Sequence, residues 1–280
     1  MTERQIDHIV HTVSDLDTAA ATYEAMGFTL TPRAQHAWGT ANRLVQFPDK
    51  SFIEILEIEH PELIPEHGTD ETPPRFSFGA YSRDFLAGGE GLSMLVLSGN
   101  DSRGDAARFA EAGLGGYAPF DFERQARQPD GSEVTVAFSL AFATSEEMPR
   151  AACFTCHNRF PQNFWKPQYQ RHANGAEGLA EVVMVSAEPD GQRQFFTPFT
   201  GVEPVAEESG LAFALSPHRL SVMTPQSYAA RFGQPAPSLE QGPRFAALVV
   251  SGKSLASGIT PATEAHGLMV ARQENSAAAA

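Results

Sequence analysis

The chain has 280 residues, of which 42% are hydrophobic and 19% charged, with 34 Asp and Glu against 20 Lys and Arg. That composition belongs to a globular protein with one large or two ordinary cores and excludes disordered or collagen-like chains. A formal net charge of −14 repels phosphate backbones and anionic lipid, so no nucleic acid and no membrane is expected as a partner. The first predicted element is a strand over 6–13, with His8 and Val10 on one face and Ile9, His11 and Val13 on the other. Ser14 and Asp17 resemble a capping box, after which Leu16, Ala19, Ala20, Tyr23 and Met26 recur at helical spacing until Gly27 stops the helix. Strands follow at about 28–35, 41–47 and 51–58, the last two joined by a Pro48-Asp49 turn.

Residues 59–90 carry Pro61, Pro65, Pro73, Pro74 and Gly88-Gly89, and read as a long loop with a function or as a clamp over a cleft. A second strand-helix unit opens with LSMLVLSGNDSRGDAARFAEAGLG at Leu92 and closes with strands over 133–143 and 151–156. The stretch 159–177 is irregular and rich in aromatic and polar residues. A third unit occupies 178–226, a Pro- and Gly-containing linker 227–243, and a partial fourth unit begins at Phe245 with a strand, a helix and a strand over 268–272. The terminal SAAAA reads as a frayed end or a processing remnant.

These segments are copies of one unit. With His8, Ser93 and Glu181 as equivalent positions, the helix-closing residues Gly27, Gly113 and Gly201 lie 19, 20 and 20 residues later. Each copy buries its face only against a neighbour, so the repeat sets the architecture. The predicted fold class is α+β, with repeated βαβββ units paired into curved mixed sheets around a cleft. The predicted domains are 1–158, a connecting loop over 159–177, and a degenerate second half over 178–280.

Within this frame a few side chains stand out. A charged Glu54 inside FIEIL is expensive to bury without a partner. If Glu54 alternates with Phe52 and Leu56 toward the interior, a cation or a hydrogen-bond donor is expected beside it; otherwise it lies in solvent on an edge strand. His8 is either a metal ligand or a satisfied core histidine; imidazole and carboxylate together suit Zn, Mn, Fe or Ni. Trp165, His172 and their neighbours on 159–177 are candidates for ligand contact, against packing between the two halves. Cys153-Phe154-Thr155-Cys156-His157 has the form of a haem-attachment sequence, but a β-rich repeat is the wrong setting for it. Ser-His-Asp and phosphate-loop signatures are absent. Two cysteines build no disulfide framework. With no leader pattern and no apolar run of about 18 residues, the expected location is the cytoplasm.

Repeated βαβββ units with IDHIVHTVSDLD, HAWGTANRLVQF and SFIEILEI resemble the vicinal oxygen chelate superfamily and, within it, the glyoxalase-like domain proteins. The resemblance implies a divalent metal held in a cleft by a first-strand and a fourth-strand residue of each of two paired units. It places His8 and Glu54 as metal ligands, Glu54 also as a catalytic base, and His36 and Asn42 on the substrate. The second unit departs from the pattern, offering Ser93 or Leu92 in the first strand and ACFTCHN in the fourth, where Cys156 or His157 could complete the site. The implied function is a metal-dependent lyase, isomerase or dioxygenase acting on a small organic substrate with vicinal oxygens. The alternative is a metal-free protein of the same fold that sequesters a small molecule. A small-molecule substrate is thus the expected partner, with a homodimer left open.

Overall fold

A computed structural model describes residues 4–127 and 131–275 of the chain. Its strands are β1 (Ile6–Thr12), β2 (Ala34–Gln35), β3 (Thr40–Gln46), β4 (Phe52–Ile58), β5 (Gly91–Ser98), β6 (Phe120–Arg127), β7 (Glu133–Ala143), β8 (Ala152–Asn158), β9 (Gly178–Val185), β10 (Val205–Glu207), β11 (Gly210–Leu215), β12 (His218–Met223), β13 (Arg244–Gly252), β14 (Gly258–Thr260) and β15 (Met269–Glu274). The helices are α1 (Leu16–Ala25), α2 (Phe78–Ala87), α3 (Ser102–Glu111), α4 (Pro161–Phe164), α5 (Arg193–Thr200) and α6 (Pro225–Phe232).

The repeat organises two sheets. The first has the order β2-β3-β4-β1-β5-β8-β7-β6 and the second β10-β11-β12-β9-β13-β15-β14. In each, the opening strands of two units pair antiparallel at the centre, β1 with β5 and β9 with β13. Each opening strand also runs parallel to the last strand of its own unit, so β1 lies on β4 and β5 on β8. Gly27, Gly113 and Gly201 have φ of +86°, +74° and +75°, a left-handed stop that only glycine adopts without strain.

Period-two alternation divides the side chains of the first sheet between two cores. Ile9, Ile53, Ile55, Leu95 and Cys153 face a large core that also takes in Tyr23, Phe109, Phe196, Phe199 and Leu248, and so runs continuously into the second sheet. Val10, Leu56, Met94, Val96, Phe138 and Phe154 face the opposite way, into the concave side of the first sheet. Polar clasps join the halves. The Ile6 N–H donates to His218 Nδ1 at 3.0 Å, and His11 Nε2 donates to the His266 carbonyl at 2.8 Å. Burial pushes the pKa of His11 down to about 4, so it packs as neutral imidazole.

Several elements differ from the sequence expectations. Asp15, not Ser14, caps α1, accepting from the Thr18 N–H at 2.7 Å. Of the strand expected over 28–35, only 34–35 takes strand form, although the Thr31 N–H also donates to the Leu44 carbonyl of β3. The presumed loop over 59–90 contains α2, capped by Ser77, and the presumed linker over 227–243 opens inside α6, which runs on to Phe232. Both helices follow a fourth strand and lie over the concave face of their sheet, with Phe78 in one and Tyr228 and Phe232 in the other buried there. The fourth unit has turns and the short β14 where a helix was expected. The terminal 276–280 lies outside the described residues. Among the described residues, no helix is long and apolar enough to cross a membrane.

Candidate active site

The concave face of the first sheet holds a cavity of about 60 Å³. Alternation along the strands delivers its floor: His8 from β1, Asn42 and Leu44 from β3, Phe52 and Glu54 from β4, and Phe154 and Cys156 from β8. The two ends of the sheet curl toward each other above it. Trp38, on the turn before β3, lies 4.9 Å from Phe122 and 5.2 Å from Phe120 on β6, between ring centroids. Phe78 of α2 and Phe164 of α4 complete the wall.

Four polar side chains give the floor its chemistry. Glu54 is 7% exposed and His8 4%. Asn42 Nδ2 donates to Glu54 Oε1 at 2.6 Å, while Glu54 Oε2 stands 3.7 Å from His8 Nε2. His8 Nδ1 donates to Asp7 Oδ1 at 2.5 Å. A carboxylate on Nδ1 orients the ring and turns Nε2 toward Glu54, the arrangement that commonly backs a metal-ligating imidazole. The His8 ring is held in place by stacking on Phe52 (4.2 Å, 13°) and by the edge of Phe154 (5.5 Å).

His8 Nε2 and Glu54 Oε2 therefore face one another away from water, and that pairing calls for a cation or a proton between them. Burial raises the Glu54 pKa, against the lowering pull of His8, Asn42 and Arg124. The donor set fits a divalent cation at two positions and leaves the rest of its coordination to water or substrate. Among the described residues there is no group of three His, Cys, Asp or Glu side chains able to hold a metal. The reason lies in the second unit. Ser93 points away from the cleft, bonded to Thr12 Oγ1 at 2.6 Å, and the cleft-facing neighbour of Ala152 and Phe154 on β5 is the pair Met94 and Val96. The positions matching His8 and Glu54 are thus apolar. Cys156 reaches the cavity, but burial raises its thiol pKa far up, with Asp7 and Glu54 adding to the effect. His157 lies outside the lining.

His36 and Asn42 both line the cavity. His36 Nδ1 bonds Thr40 Oγ1 at 2.8 Å and its ring stacks on Trp38 at 4.5 Å. Burial, with Arg124 nearby, takes its pKa down to about 3 and keeps it neutral. Trp38 Nε1 is buried and has no hydrogen-bond partner among the described residues.

Trp165 and His172 do not line the cavity. Trp165 packs edge-on against Phe52 and Phe164, beneath Lys50. His172 sits between Phe28 and Phe47, accepting from the Thr29 N–H on Nδ1 and donating from Nε2 to the Gln46 carbonyl, both at 3.0 Å. The same segment places Gln170 on the Phe47 carbonyl and Asn174 on the Met26 carbonyl. It satisfies its polar groups by strapping 159–177 across the end of β3, and Phe164 alone of its aromatics enters the cavity wall. His172→Ala is accordingly expected to cost about 1–3 kcal/mol of stability, read as a fall in Tm at pH 8, with ligand binding in the cavity unchanged. Burial lowers the His172 pKa. The His172 contribution is thus complete above pH 6.5 and is lost as the pH falls below that unfolded-state value.

Arg124 is the residue that the sequence reading missed. It lines the cavity opposite Glu54 and His36. The signal was the alternation in FDFERQ, which places Phe120, Phe122 and Arg124 on one face of β6.

Paired βαβββ units curled around a polar-floored cleft define the vicinal oxygen chelate class. A family model described as "Glyoxalase-like domain" matches residues 6–198, most of the chain, and the protein belongs to that family. A hypothetical protein from Staphylococcus aureus superposes with a TM-score of 0.70 at 12% identity, covering 98% of this chain and 100% of its own. The Mn(II)-bound glyoxalase from Novosphingobium aromaticivorans superposes with a TM-score of 0.50 at 12% identity, covering 96% of this chain and 81% of its own. At these identities the likeness is one of fold. No curated protein matches the chain.

Proposed function

We propose that the first-sheet cleft is the active site of a metal-dependent enzyme acting on a small organic substrate with two neighbouring oxygens. The observation that carries this reading is the 3.7 Å approach of His8 Nε2 and Glu54 Oε2, with Asp7 and Asn42 each fixing the far side of its partner. His8 and Glu54 would hold the cation, and a bound divalent metal supplies Lewis-acid polarisation of substrate oxygen. The chain's own residues do the remaining work. Asn42 anchors Oε1 and leaves Oε2 free to take a proton from a carbon or hydroxyl beside it, and burial raises the Glu54 pKa toward the range useful to a general base. Trp38, Phe78 and Phe122 exclude water from that exchange. In this reading residues 1–158 form the working half and 178–280 a scaffold, joined by 159–177.

The Mn(II)-bound neighbour makes Mn²⁺ the first cation to try. Calorimetric titration of chelator-treated protein with Mn²⁺ is expected to show one site, and His8→Ala is expected to weaken it by about 10–100-fold or more. Absence of Mn²⁺, Zn²⁺, Fe²⁺ and Ni²⁺ binding by the wild type would overturn the metal and leave a protein that sequesters its ligand.

A further inference from the structure

We infer that the ligand of this cleft is an anion with an apolar body, and that Arg124 is its specificity-determining residue. The inference rests on the reading of the cleft as the substrate site, but not on the metal. The guanidinium of Arg124 lies among Phe122, Phe138 and His36 on the cavity wall and is only partly exposed. Among the described residues it makes no hydrogen bond and has no carboxylate within 4.0 Å. Arg33, Arg83 and Arg231, by contrast, are all tied to carboxylates. Glu54 acts on Arg124 only from beyond ion-pair distance, and a cation so placed in an aromatic wall loses hydration that an anion brought in by the ligand can restore.

Nothing else in the cavity can take over that role. Glu54 already has Asn42 and His8 beside it, and His36 stays neutral because burial suppresses its charge. The planar fork of a guanidinium matches a carboxylate in two parallel hydrogen bonds, which sets orientation as well as charge. The surroundings suit the remainder of such a ligand. Trp38 and Phe78 form the partition between the polar-floored cavity and a neighbouring groove of about 220 Å³ that also contains Leu63, Phe76 and Phe120. A planar apolar body can lie against Phe122 and Trp38 and extend toward that groove while its carboxylate meets Arg124.

Benzoate and its neutral counterpart benzamide are suitable probes, titrated by calorimetry into the full chain. The wild type is expected to bind benzoate at least tenfold more tightly than benzamide. Arg124→Gln should erase that difference by weakening benzoate at least tenfold while leaving benzamide unchanged, and Arg124→Lys should restore part of it. Equal affinity for the two probes, no benzoate binding at millimolar concentration, or unaltered benzoate binding by Arg124→Gln would each overturn the inference. Should Arg124→Gln fail to fold, the benzoate-to-benzamide ratio of the wild type decides alone. Mn²⁺ titration of the same samples separates this inference from the metal. Benzoate held through Arg124 without any Mn²⁺ binding sinks the metal reading only, and Mn²⁺ binding without benzoate sinks only the anion.

Discussion

Arg231→Ala is expected to lower folding stability by about 2–3 kcal/mol and Tm by roughly 4–12 °C. Glu181 occupies in the third unit the first-strand place that His8 holds in the first. There the concave face has been closed: α6 lays Tyr228 and Phe232 against Val183, Val185, Met223 and Met269. Arg231 on the same helix clamps both Glu181 oxygens, at 2.8 and 2.6 Å. Glu181 is 6% exposed. Burial pushes its pKa up, but the Arg231 bonds, with help from Ser221 and Arg219, prevail and hold it below the usual range. Removing one partner of such a pair strands the other charge, which typically costs about 3–5 kcal/mol. The lower figure applies here because Arg231 is about one-third exposed and Arg219 remains 3.7 Å from Glu181. A depressed carboxyl pKa gives stability that is present above the unfolded value and lost as pH falls through the folded one. The deficit of the variant should therefore be full at neutral pH and shrink in acid. The joint exchange Glu181→Leu with Arg231→Met is expected to stay within about 1 kcal/mol of the wild type, because buried ion pairs are replaceable by apolar pairs of similar size. Calorimetry showing Arg231→Ala within a degree of the wild type would refute this account.

The contrast between the two clefts explains what the sequence could and could not reveal. The strand-to-glycine interval was legible because it reports a backbone requirement, the left-handed residue at Gly27, Gly113 and Gly201, which recurs whatever the side chains do. The place of Glu54 was legible because a carboxylate between Phe52 and Leu56 in an alternating strand faces the interior. Register was harder to read. A β-bulge in the β1–β5 pairing, between Val10 and His11, shifts the count, so the second unit presents Met94 to the cleft and turns Ser93 toward Thr12. A one-residue slip exchanges the two faces of a strand. The helices α2 and α6 were hidden for a different reason. Prolines flank both, at Pro73-Pro74 and at Pro225, Pro235 and Pro237, and proline at a helix start looks the same in sequence as proline in a loop. Arg124 was overlooked because its role depends on β6 curling over β3, a contact between residues some eighty positions apart. The role of His172 was illegible because a loop rich in His, Trp and Tyr serves equally as a binding surface and as a strap, and the backbone partners of its ring appear only in the structure.

Glu54→Gln is expected to stabilise the metal-free protein at neutral pH while removing its response to Mn²⁺. Burial raises the carboxyl pKa above 4.5, so the ionised form is penalised in the folded state. That contribution to stability is present below the unfolded pKa and lost as pH rises through the folded value. The introduced amide keeps an oxygen for Asn42 Nδ2 and turns an N–H toward His8 Nε2, which replaces a pair of facing acceptors by a donor and an acceptor. The gain should be about 1–2 kcal/mol at pH 7.5, or roughly 2–8 °C in Tm. It should fall to zero near pH 4, where the wild-type carboxyl carries its proton in both states. Mn²⁺ at a hundred times its Kd is expected to raise wild-type stability by about 2.7 kcal/mol, because it binds the folded form alone. The variant has lost one of two protein ligands and should show almost none of that rise. Scanning calorimetry of both proteins from pH 4 to pH 8, with and without Mn²⁺, measures all four quantities. A variant less stable than the wild type at pH 7.5 without metal would show that the Glu54 charge is welcome in the fold, and the facing-acceptor argument would fail. A variant that keeps the full Mn²⁺ response would place the cation elsewhere.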